Sequence, residues 1–354
     1  MKEFRKMNKK KQRTLVLGID LGGSKILTSV VNSQGKMLSR DHSVTPAEKG
    51  LGAVIDAITE SAVCALAQAR IRRSNLRAVG IGAPGLINPE TGILFTAPNL
   101  PGWSEVPLRE IIAEKMNKRT FLINDANAAA LAEFEYGAGR GCRNFIYITV
   151  STGIGGGIII DGKLYGGSTG LSGELGHMTI DDKGPLCSCG NHGCWETLAS
   201  GTALEKEAIR RIQEGVPTTI LDYADGDIQK VTARVVHRAA QAGDNLAENL
   251  IARVGYYLGV GLANLINIFN PERIVIGGGL SLIGDRLLQP AFKVAEERAF
   301  RESYRQVRFV QAEFGRNSGV IGAAIFALRE VKRTRRRHPP VGSRTGADAG
   351  SSSN

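Results

Sequence analysis

A glycine-rich hairpin pattern occurs twice in this 354-residue chain, and the repeat constrains the possible folds more than any other feature. The segment "TLVLGIDLGGSKILTSVVNSQGKML" (14–38) reads as an apolar strand, a turn with paired glycines, a second strand, a turn at Gly35 and a third strand. The segment "NFIYITVSTGIGGGIIIDGKLYGG" (144–167) has the same layout. Two such hairpins, about 130 residues apart, favour a duplicated domain.

Strand-like and helix-like segments alternate through the rest of the chain. Apolar residues at helical spacing predict helices, and short β-branched runs predict strands. The alternation predicts an α/β fold with mixed sheets. The predicted elements outside the hairpins are helix 51–71, strand 76–85, helix 106–116, strand 120–125, helix 126–137, helix 250–270, strand 273–280, strand 307–314 and helix 318–331.

The net charge of +11 is confined to the two ends of the chain. Residues 1–13 carry seven Lys/Arg against one Glu, and residues 331–354 carry six against one Asp, which leaves the sequence between them neutral. We expect both basic ends to be disordered tails, either simply solvated or weakly attracted to polyanions. A neutral body argues against a specific nucleic-acid surface.

Other bulk features point to a soluble cytoplasmic protein. There is no run of about 18 apolar residues for a membrane span and no signal-peptide core. Five cysteines are an odd count, and Cys64 and Cys142 stand alone in apolar segments, so a disulfide framework is not expected.

Three glycine clusters are candidates for phosphate binding, because turns without Cβ atoms let backbone N–H groups approach an anion. Each cluster alone is weak evidence, but the three together favour a nucleotide-phosphate clamp across a cleft. Neither a P-loop nor a GxGxxG fingerprint is present. The candidate residues are Gly22, Gly23, Ser24 and Lys25 in the first hairpin, Ser151, Thr152, Gly153, Gly155 and Gly156 in the second, and Gly277, Gly278 and Gly279 after a later strand.

Two acids follow apolar strands, where their carboxylates would be exposed at a sheet edge. Phosphoryl transfer to an alcohol needs one carboxylate to accept the hydroxyl proton and another to organise Mg²⁺. Asp125 fits the first role but fits a helix N-cap equally well, and Asp20 could be a turn residue. Farther on, "GELGH" places Glu174 and His177 three residues apart, on one face of a helical turn.

The stretch "CSCGNHGCWE" contains three cysteines in eight residues. With His177 upstream, Cys187, Cys189 and Cys194 form a Cys₃His set, which suits a closed, structural Zn²⁺ site. His192, inside the loop, is a rival fourth ligand. Reduced cysteines without metal are the other alternative.

The assembled motifs resemble the ROK family (repressors, open reading frames and sugar kinases) over about residues 14–330, most specifically in "GELGH" and "CSCGNHGCWET". The resemblance also covers "GIDLGGSK", "GAPG", "APNLPGW", "INDANAAALAE" and "STGIGGG". It implies an actin-like, ribonuclease-H-type fold with ATP between two lobes and a hexose at their interface. Ser24 is a small departure, because Thr is more usual there.

The resemblance also implies a role for each site residue. Asp125 would be the catalytic base, Asp20 the Mg²⁺-organising acid, and the glycine turns the phosphate loops. The zinc ligands would be His177, Cys187, Cys189 and Cys194. The hexose would be held by Asn99, Asn124, Asp125, Glu174, His177 and Glu196.

On this basis we expect an N-terminal lobe of residues 14–124 plus 317–331 and a C-terminal lobe of 125–316 with a zinc loop at 177–196. Residues 1–13 and 332–354 would be the tails. Only about 13 residues precede the first strand, too few for the helix-turn-helix domain of the family's repressors. We therefore expect a kinase, and a homodimer or homotetramer.

Glucose is the favoured substrate. N-acetylglucosamine, N-acetylmannosamine, fructose and allose are alternatives, as are polyphosphate as the phosphoryl donor and a non-catalytic sugar-sensing role. A nucleic-acid binder using the zinc loop as a finger conflicts with the neutral body.

Overall fold

The computed structural model of the chain describes residues 14–97 and 99–337. The expected N-terminal tail, 1–13, and most of the expected C-terminal tail, 338–354, lie outside the described residues. The final helix ends at Arg337, so regular structure continues six residues beyond the expected end at 331.

The secondary structure follows the alternation seen in the sequence. The strands of the described chain are β1 Leu15–Leu21, β2 Lys25–Asn32, β3 Asp41–Val44, β4 Leu76–Ala83, β5 Leu86–Asn88, β6 Ile93–Thr96, β7 Ser104–Val106, β8 Thr120–Asn124, β9 Phe145–Val150, β10 Ile154–Ile160, β11 Lys163–Leu164, β12 Arg273–Gly277 and β13 Arg308–Gln311. The α-helices within the same described ranges are α1 Gly50–Ala69, α2 Leu108–Met116, α3 Asp125–Tyr136, α4 Trp195–Ala199, α5 Gly201–Gln213, α6 Ala233–Gln241, α7 Asn245–Phe269, α8 Asp285–Arg298, α9 Arg301–Gln306 and α10 Ser318–Arg337.

Two five-stranded sheets share one topology. Their orders are β3-β2-β1-β4-β8 and β11-β10-β9-β12-β13. In both, the first two pairings are antiparallel and the last two are parallel. The mixed α/β architecture expected from the sequence is confirmed, and the repeated hairpins occupy equivalent places in the two sheets.

The strand after Gly35 differs from expectation. Asn32 Oδ1 accepts hydrogen bonds from the N–H groups of Gln34 and Lys36, so the chain turns tightly there. Only an isolated bridge, Val31 with Met37, follows the turn, and β3 begins later, at Asp41. A small sheet of β5, β6 and β7 was not anticipated either, because its strands are too short for periodicity to show.

Helices α3 and α10 lie between the two sheets and connect them. The chain leaves the first sheet through α3, which follows β8 directly, and returns from β13 into α10. Gly18 and Gly80 let α10 lie directly on the first sheet, because a Cβ at either position would clash with the backbone of α10. Gly322 allows an equally close approach to Ala128 in α3.

Two helical stretches, 47–69 and Asn245–Phe269, are long and apolar enough to cross a membrane by length and composition alone. The first includes α1, whose Val54, Ile58 and Ala62 are buried in the core beside the first sheet. The second is α7, whose Leu258 and Leu262 are buried in the core beside the second sheet. Packing in the two cores accounts for their apolar composition.

Candidate active site

Asp20 and Asp125 lie in one cleft between the sheets. Asp20 is near the end of β1, and Asp125 is the first residue of α3. Both residues are half-buried. Burial and then the charge of Asp125 raise the pKa of Asp20 to about 7. Burial raises the pKa of Asp125 to about 6, against the lowering effect of the hydrogen bond from the N–H of Ala126. Acids with near-neutral pKa values in a cleft are suited to proton transfer and metal binding.

The N-cap of α3 is Asn124 rather than Asp125. The Asn124 side chain accepts hydrogen bonds from the N–H groups of Ala126 (3.0 Å) and Asn127 (3.1 Å). Asp125 therefore stands one residue inside the helix, and Asn124 caps it with an amide oxygen. The sequence allowed Asp125 to be either the N-cap or a proton acceptor. Because Asn124 is the N-cap, Asp125 is not needed for that role.

A cavity of about 420 Å³ lies beside the two acids. Its lining is strongly basic on one side, where Lys25, Arg40 and Arg316 meet His42. The pKa of His42 is lowered by burial and then by the charges of Arg40 and Lys25, and Arg40 Nε donates to His42 Nε2 at 3.1 Å. Such a lining suits an anion. The other polar, acidic and glycine residues that line it include Asp20, Asp125, Thr149, Ser151, Gly277, Gly278, Gly279, Gln311, Ser318 and Gly319.

The three glycine clusters are used in different ways. Gly277, Gly278 and Gly279 line this cavity together with Lys25 and Ser151. Gly278 has φ +90° and approaches the backbone of Val150 so closely that a side chain would clash. The remaining predicted phosphate residues do not line this cavity: Gly22, Gly23, Ser24, Thr152, Gly153, Gly155 and Gly156.

Close packing gives some of these glycines a second explanation. A Cβ at Gly23 would stand 2.5 Å from the Cβ of Asn99, and one at Gly156 would clash with Leu175. Gly155 packs against Ala126, next to Asp125. The phosphate role of this group stays a prediction.

A second cavity, of about 540 Å³, contains Asn99, His177 and Glu196 from the predicted sugar set, with Thr152 and Gly153. Glu196 Oε2 accepts from the N–H of Ile154 at 3.4 Å, and its Oε1 lies 3.9 Å from His177 Nδ1. These contacts fix the carboxylate against the second glycine hairpin.

The other members of the predicted sugar set are Asn124, Asp125 and Glu174, of which Asn124 and Asp125 lie at the start of α3. Burial raises the pKa of Glu174. The charge of His177 lowers this pKa, whereas the charges of Asp125 and Glu196 raise it further. Glu174 therefore lies close enough to these three groups to interact with them electrostatically. Asn124 Nδ2 donates to the carbonyl of Gly85 at 3.3 Å. The sugar-binding role of these residues stays a prediction.

The three clustered cysteines and His177 come together at the edge of the second cavity. Their ligand atoms all lie within 4.8 Å of one another. Cys189 Sγ and Cys194 Sγ are 3.6 Å apart, as are Cys187 Sγ and His177 Nδ1. Tetrahedral Zn²⁺ with bonds of about 2.0–2.3 Å holds its ligand atoms roughly 3.5 Å apart, so this arrangement fits the ion.

His192 does not join the cysteine cluster. Its Nδ1 lies 3.2 Å from the carbonyl of Gly184, and its backbone pairs with Leu186 in the loop. Behind the cluster, Trp195 is fully buried and donates to the carbonyl of Tyr257 at 2.9 Å, which anchors the loop to α7.

Sequence reasoning missed one wall of the first cavity. Residues 311–319 contribute Gln311, Arg316, Ser318 and Gly319 to the lining, although the sequence predicted only a strand and a helix here. The signal that was available is the "GRNSG" segment (315–319), which leads into the first turn of α10, since glycine-containing segments at the start of helices can approach anionic ligands. Arg40, just before the edge strand β3, and His42, within it, carried no local signal.

The repeated mixed sheets, with an acid pair in the cleft between them, define an actin-like ATPase fold. The ROK family profile matches residues 16–330, and the chain belongs to the ROK family.

Relatives and solved structures agree with this assignment. The chain is 37% identical to the glucokinase of Halalkalibacterium halodurans, covering 86% of this chain and 92% of that protein. It is 33% identical to the xylose repressor of Caldicellulosiruptor bescii, covering 89% of this chain and 78% of the repressor. A ROK family glucokinase from Streptomyces griseus, solved in complex with glucose and AMPPNP, superposes with a TM-score of 0.78 at 34% identity, covering 89% of this chain and 99% of that one.

Proposed function

We propose that this protein is a hexokinase-type phosphotransferase that phosphorylates glucose to glucose 6-phosphate with ATP. The observation that carries the proposal is the pair of acids with near-neutral pKa values beside a basic, glycine-lined cavity, together with a second cavity that contains Asn, His and Glu side chains, which can hydrogen-bond sugar hydroxyls. Glucokinases at 35–37% identity over most of the chain support the same reaction.

In the proposed mechanism, the 6-hydroxyl oxygen of the sugar attacks the γ-phosphorus, the bond to the bridging oxygen breaks and ADP leaves. Asp125 accepts the hydroxyl proton. With a pKa of about 6, it is mostly ionised at neutral pH yet basic enough to take the proton in the transition state. Asn124 fixes its position by capping the helix that Asp125 begins.

ATP would lie in the first cavity. Lys25, Arg40 and Arg316 suit the negative charge of its phosphates, and Gly277–Gly279 allow close approach of the backbone. Leu282, which lines the same cavity and is 63% exposed, would be covered by an apolar surface such as the adenine ring of ATP. Asp20 is suited to bind Mg²⁺. The negative charge of Asp125 helps to raise the pKa of Asp20, and a divalent cation would offset that repulsion. A cation held there would neutralise charge on the phosphates.

We propose a structural zinc ion at His177, Cys187, Cys189 and Cys194. All four ligands come from the protein, so the site would brace the loop that carries His177 and leads into Glu196. We expect Cys189→Ser to lose the metal and to raise the KM for glucose, while Cys64→Ser, a change at an exposed cysteine outside the cluster, leaves both unchanged. Metal analysis of both variants checks this. Full metal content in Cys189→Ser would refute the ligand set.

The test of the proposed function is a coupled ADP-release assay over a hexose panel. We expect glucose to be turned over most efficiently and Asp125→Ala to lose at least about 10³-fold in kcat. Asp222→Asn, a change at an exposed acid outside both cavities, is the matched control. Glucose turnover surviving in Asp125→Ala would remove Asp125 from the role of base. Turnover of an N-acetylhexosamine or fructose alone would change the substrate. Sugar binding without turnover would favour the sensor role instead.

Cellular context follows from the same reading. We propose that the enzyme works in the cytoplasm, where ATP is available, and forms a homodimer or homotetramer without a specific nucleic-acid partner. Light scattering of the purified protein measures the oligomeric state.

A further inference from the structure

Glu133 is a charged residue in the interior that the proposed mechanism does not use. It lies in α3, two turns after Asp125, and its relative exposure is 0%. A buried carboxylate loses its hydration and is retained only when hydrogen bonds replace it. The described residues provide no ion pair to Glu133, so its partners are hydrogen-bond donors.

Both oxygens of Glu133 accept two hydrogen bonds each. Oε2 accepts from the N–H of Ala138 and the N–H of Glu313, both at 3.0 Å. Oε1 accepts from the N–H of Phe314 at 2.9 Å and the hydroxyl of Ser318 at 3.0 Å. Gly137 leaves room for this, because a Cβ there would clash with Oε2.

These donors belong to the two chain connections between the sheets. Ala138 lies where the chain leaves α3 for the second sheet, and Glu313, Phe314 and Ser318 lie where it returns from β13 into α10. One side chain therefore binds both connections. The returning segment is also a wall of the first cavity, through Arg316, Ser318 and Gly319.

The same segment reaches the acid pair. A Cβ at Gly319 would lie 2.5 Å from Asp20 Oδ2, so the start of α10 rests against that carboxylate. Glu133 is thus connected to Asp125 through α3 and to Asp20 through the 313–319 wall. No other side-chain type offers two oxygens without a donor, except Asp, which is one methylene shorter.

We propose that Glu133 is a positioning residue that fixes the 313–319 wall of the nucleotide cavity against the helix that begins with Asp125. The proposal rests on the proposed kinase function for the identity of the ligand. In Glu133→Gln the amide NH₂ would face at least one N–H group in either orientation, Ala138 and Glu313 in one and Phe314 in the other, so hydrogen bonds are lost with little change in shape. The 313–319 wall then loosens, while the sugar residues, none of which belongs to that wall, stay in place.

The matched control is Glu135→Gln in the same helix. Glu135 pairs with Arg329 of α10, through Arg329 Nε at 2.8 Å, so it also joins α3 to α10 but does not touch the 313–319 wall. We expect Glu133→Gln to raise the KM for ATP and lower kcat by about 10-fold or more, with the KM for glucose unchanged. We expect Glu135→Gln to change each constant by about twofold or less.

A merely structural role would give a different pattern. Partial unfolding would lower the fraction of active enzyme. The apparent kcat would then fall in proportion to the folded fraction, while both KM values stayed constant. That pattern in Glu133→Gln, or an equal rise in both KM values, would overturn the proposal.

Ser318→Ala keeps the carboxylate and its three N–H donors, so it tests the idea if Glu133→Gln fails to fold. We expect a smaller rise in the KM for ATP, and no further rise when the change is added to a folded Glu133→Gln. Additive effects would mean that the Ser318 hydroxyl acts on the nucleotide independently of Glu133.

Calorimetric binding of AMPPNP without sugar separates this inference from the proposed function. Weaker binding to Glu133→Gln than to Glu135→Gln supports the positioning role even if wild type phosphorylates no hexose. Equal binding by both variants refutes it, whatever the substrate.

Discussion

Replacing Asp125 by Asn should abolish sugar phosphorylation and, at the same time, stabilise the ligand-free protein above neutral pH. Burial raises the pKa of Asp125 from 3.8 to about 6. At about 1.4 kcal/mol per pKa unit, keeping this carboxylate ionised in the folded protein costs about 3 kcal/mol. Asn has no charge to bury, and its amide oxygen can still accept the hydrogen bond from Ala126.

The sign and the pH window follow from linkage. Because the folded state binds the Asp125 proton more tightly than the unfolded state, wild-type stability falls as pH rises from about 4 through about 6 and then levels off. The advantage of Asp125→Asn should therefore grow from about 1 kcal/mol at pH 4.5 to about 3 kcal/mol at pH 8.

Urea unfolding of both proteins at several pH values measures this difference, with Asp222→Asn as a control whose effect should not vary with pH. The coupled assay on the same samples measures activity, which should fall by at least about 10³-fold. An Asp125→Asn protein that is no more stable than wild type at pH 8, or that gains equally at every pH, would show that Asp125 is not a buried acid of raised pKa.

Three further expectations follow from the same geometry. In wild type, kcat/KM for glucose should rise with pH through an apparent pKa near that of Asp125, about 6, falling roughly tenfold per pH unit below it; a flat profile from pH 5 to 8 would exclude this base. Asn124→Ala should cost about 1–2 kcal/mol in urea unfolding through loss of the α3 cap and raise the KM for glucose, whereas an unchanged unfolding midpoint would contradict the capping role. Gly319→Ala should leave helix content unchanged by circular dichroism, since Ala favours helices, yet lower kcat by about 10-fold or more because its Cβ meets the Asp20 carboxylate; full activity would mean that this contact is not maintained in solution.

Local patterns were sufficient for the repeat and for most of the longer elements, but they did not predict β5–β7 or the helices α4, α5, α6, α8 and α9. β9 was recognisable as a short β-branched apolar run, which is almost wholly buried, and α7 was recognisable from the regular spacing of its apolar residues. The duplicated hairpins predicted two similar sheets, and the sheets share one strand order. The boundaries drawn between the lobes stay a prediction.

The sequence was less informative where two neighbouring residues compete for one role or where distant segments meet. Asn124 and Asp125 are both good helix caps, and only the backbone geometry shows that Asn124 takes that role. The sequence offered both His177 and His192 as the fourth ligand, and the structure brings His177 to the three thiols. The contact between Gly319 and Asp20 could not be foreseen, because it joins residues near opposite ends of the sequence.

The position of α10 has a consequence for how the protein is made. This helix, near the end of the chain, covers β1 and β4 of the first sheet, where Gly18 and Gly80 receive its backbone. During synthesis on a ribosome, the first sheet therefore emerges long before the helix that buries one of its faces. Until then that face needs a chaperone or a temporary cover, so we expect the nascent chain to acquire protease resistance only after residues 318–337 have left the exit tunnel.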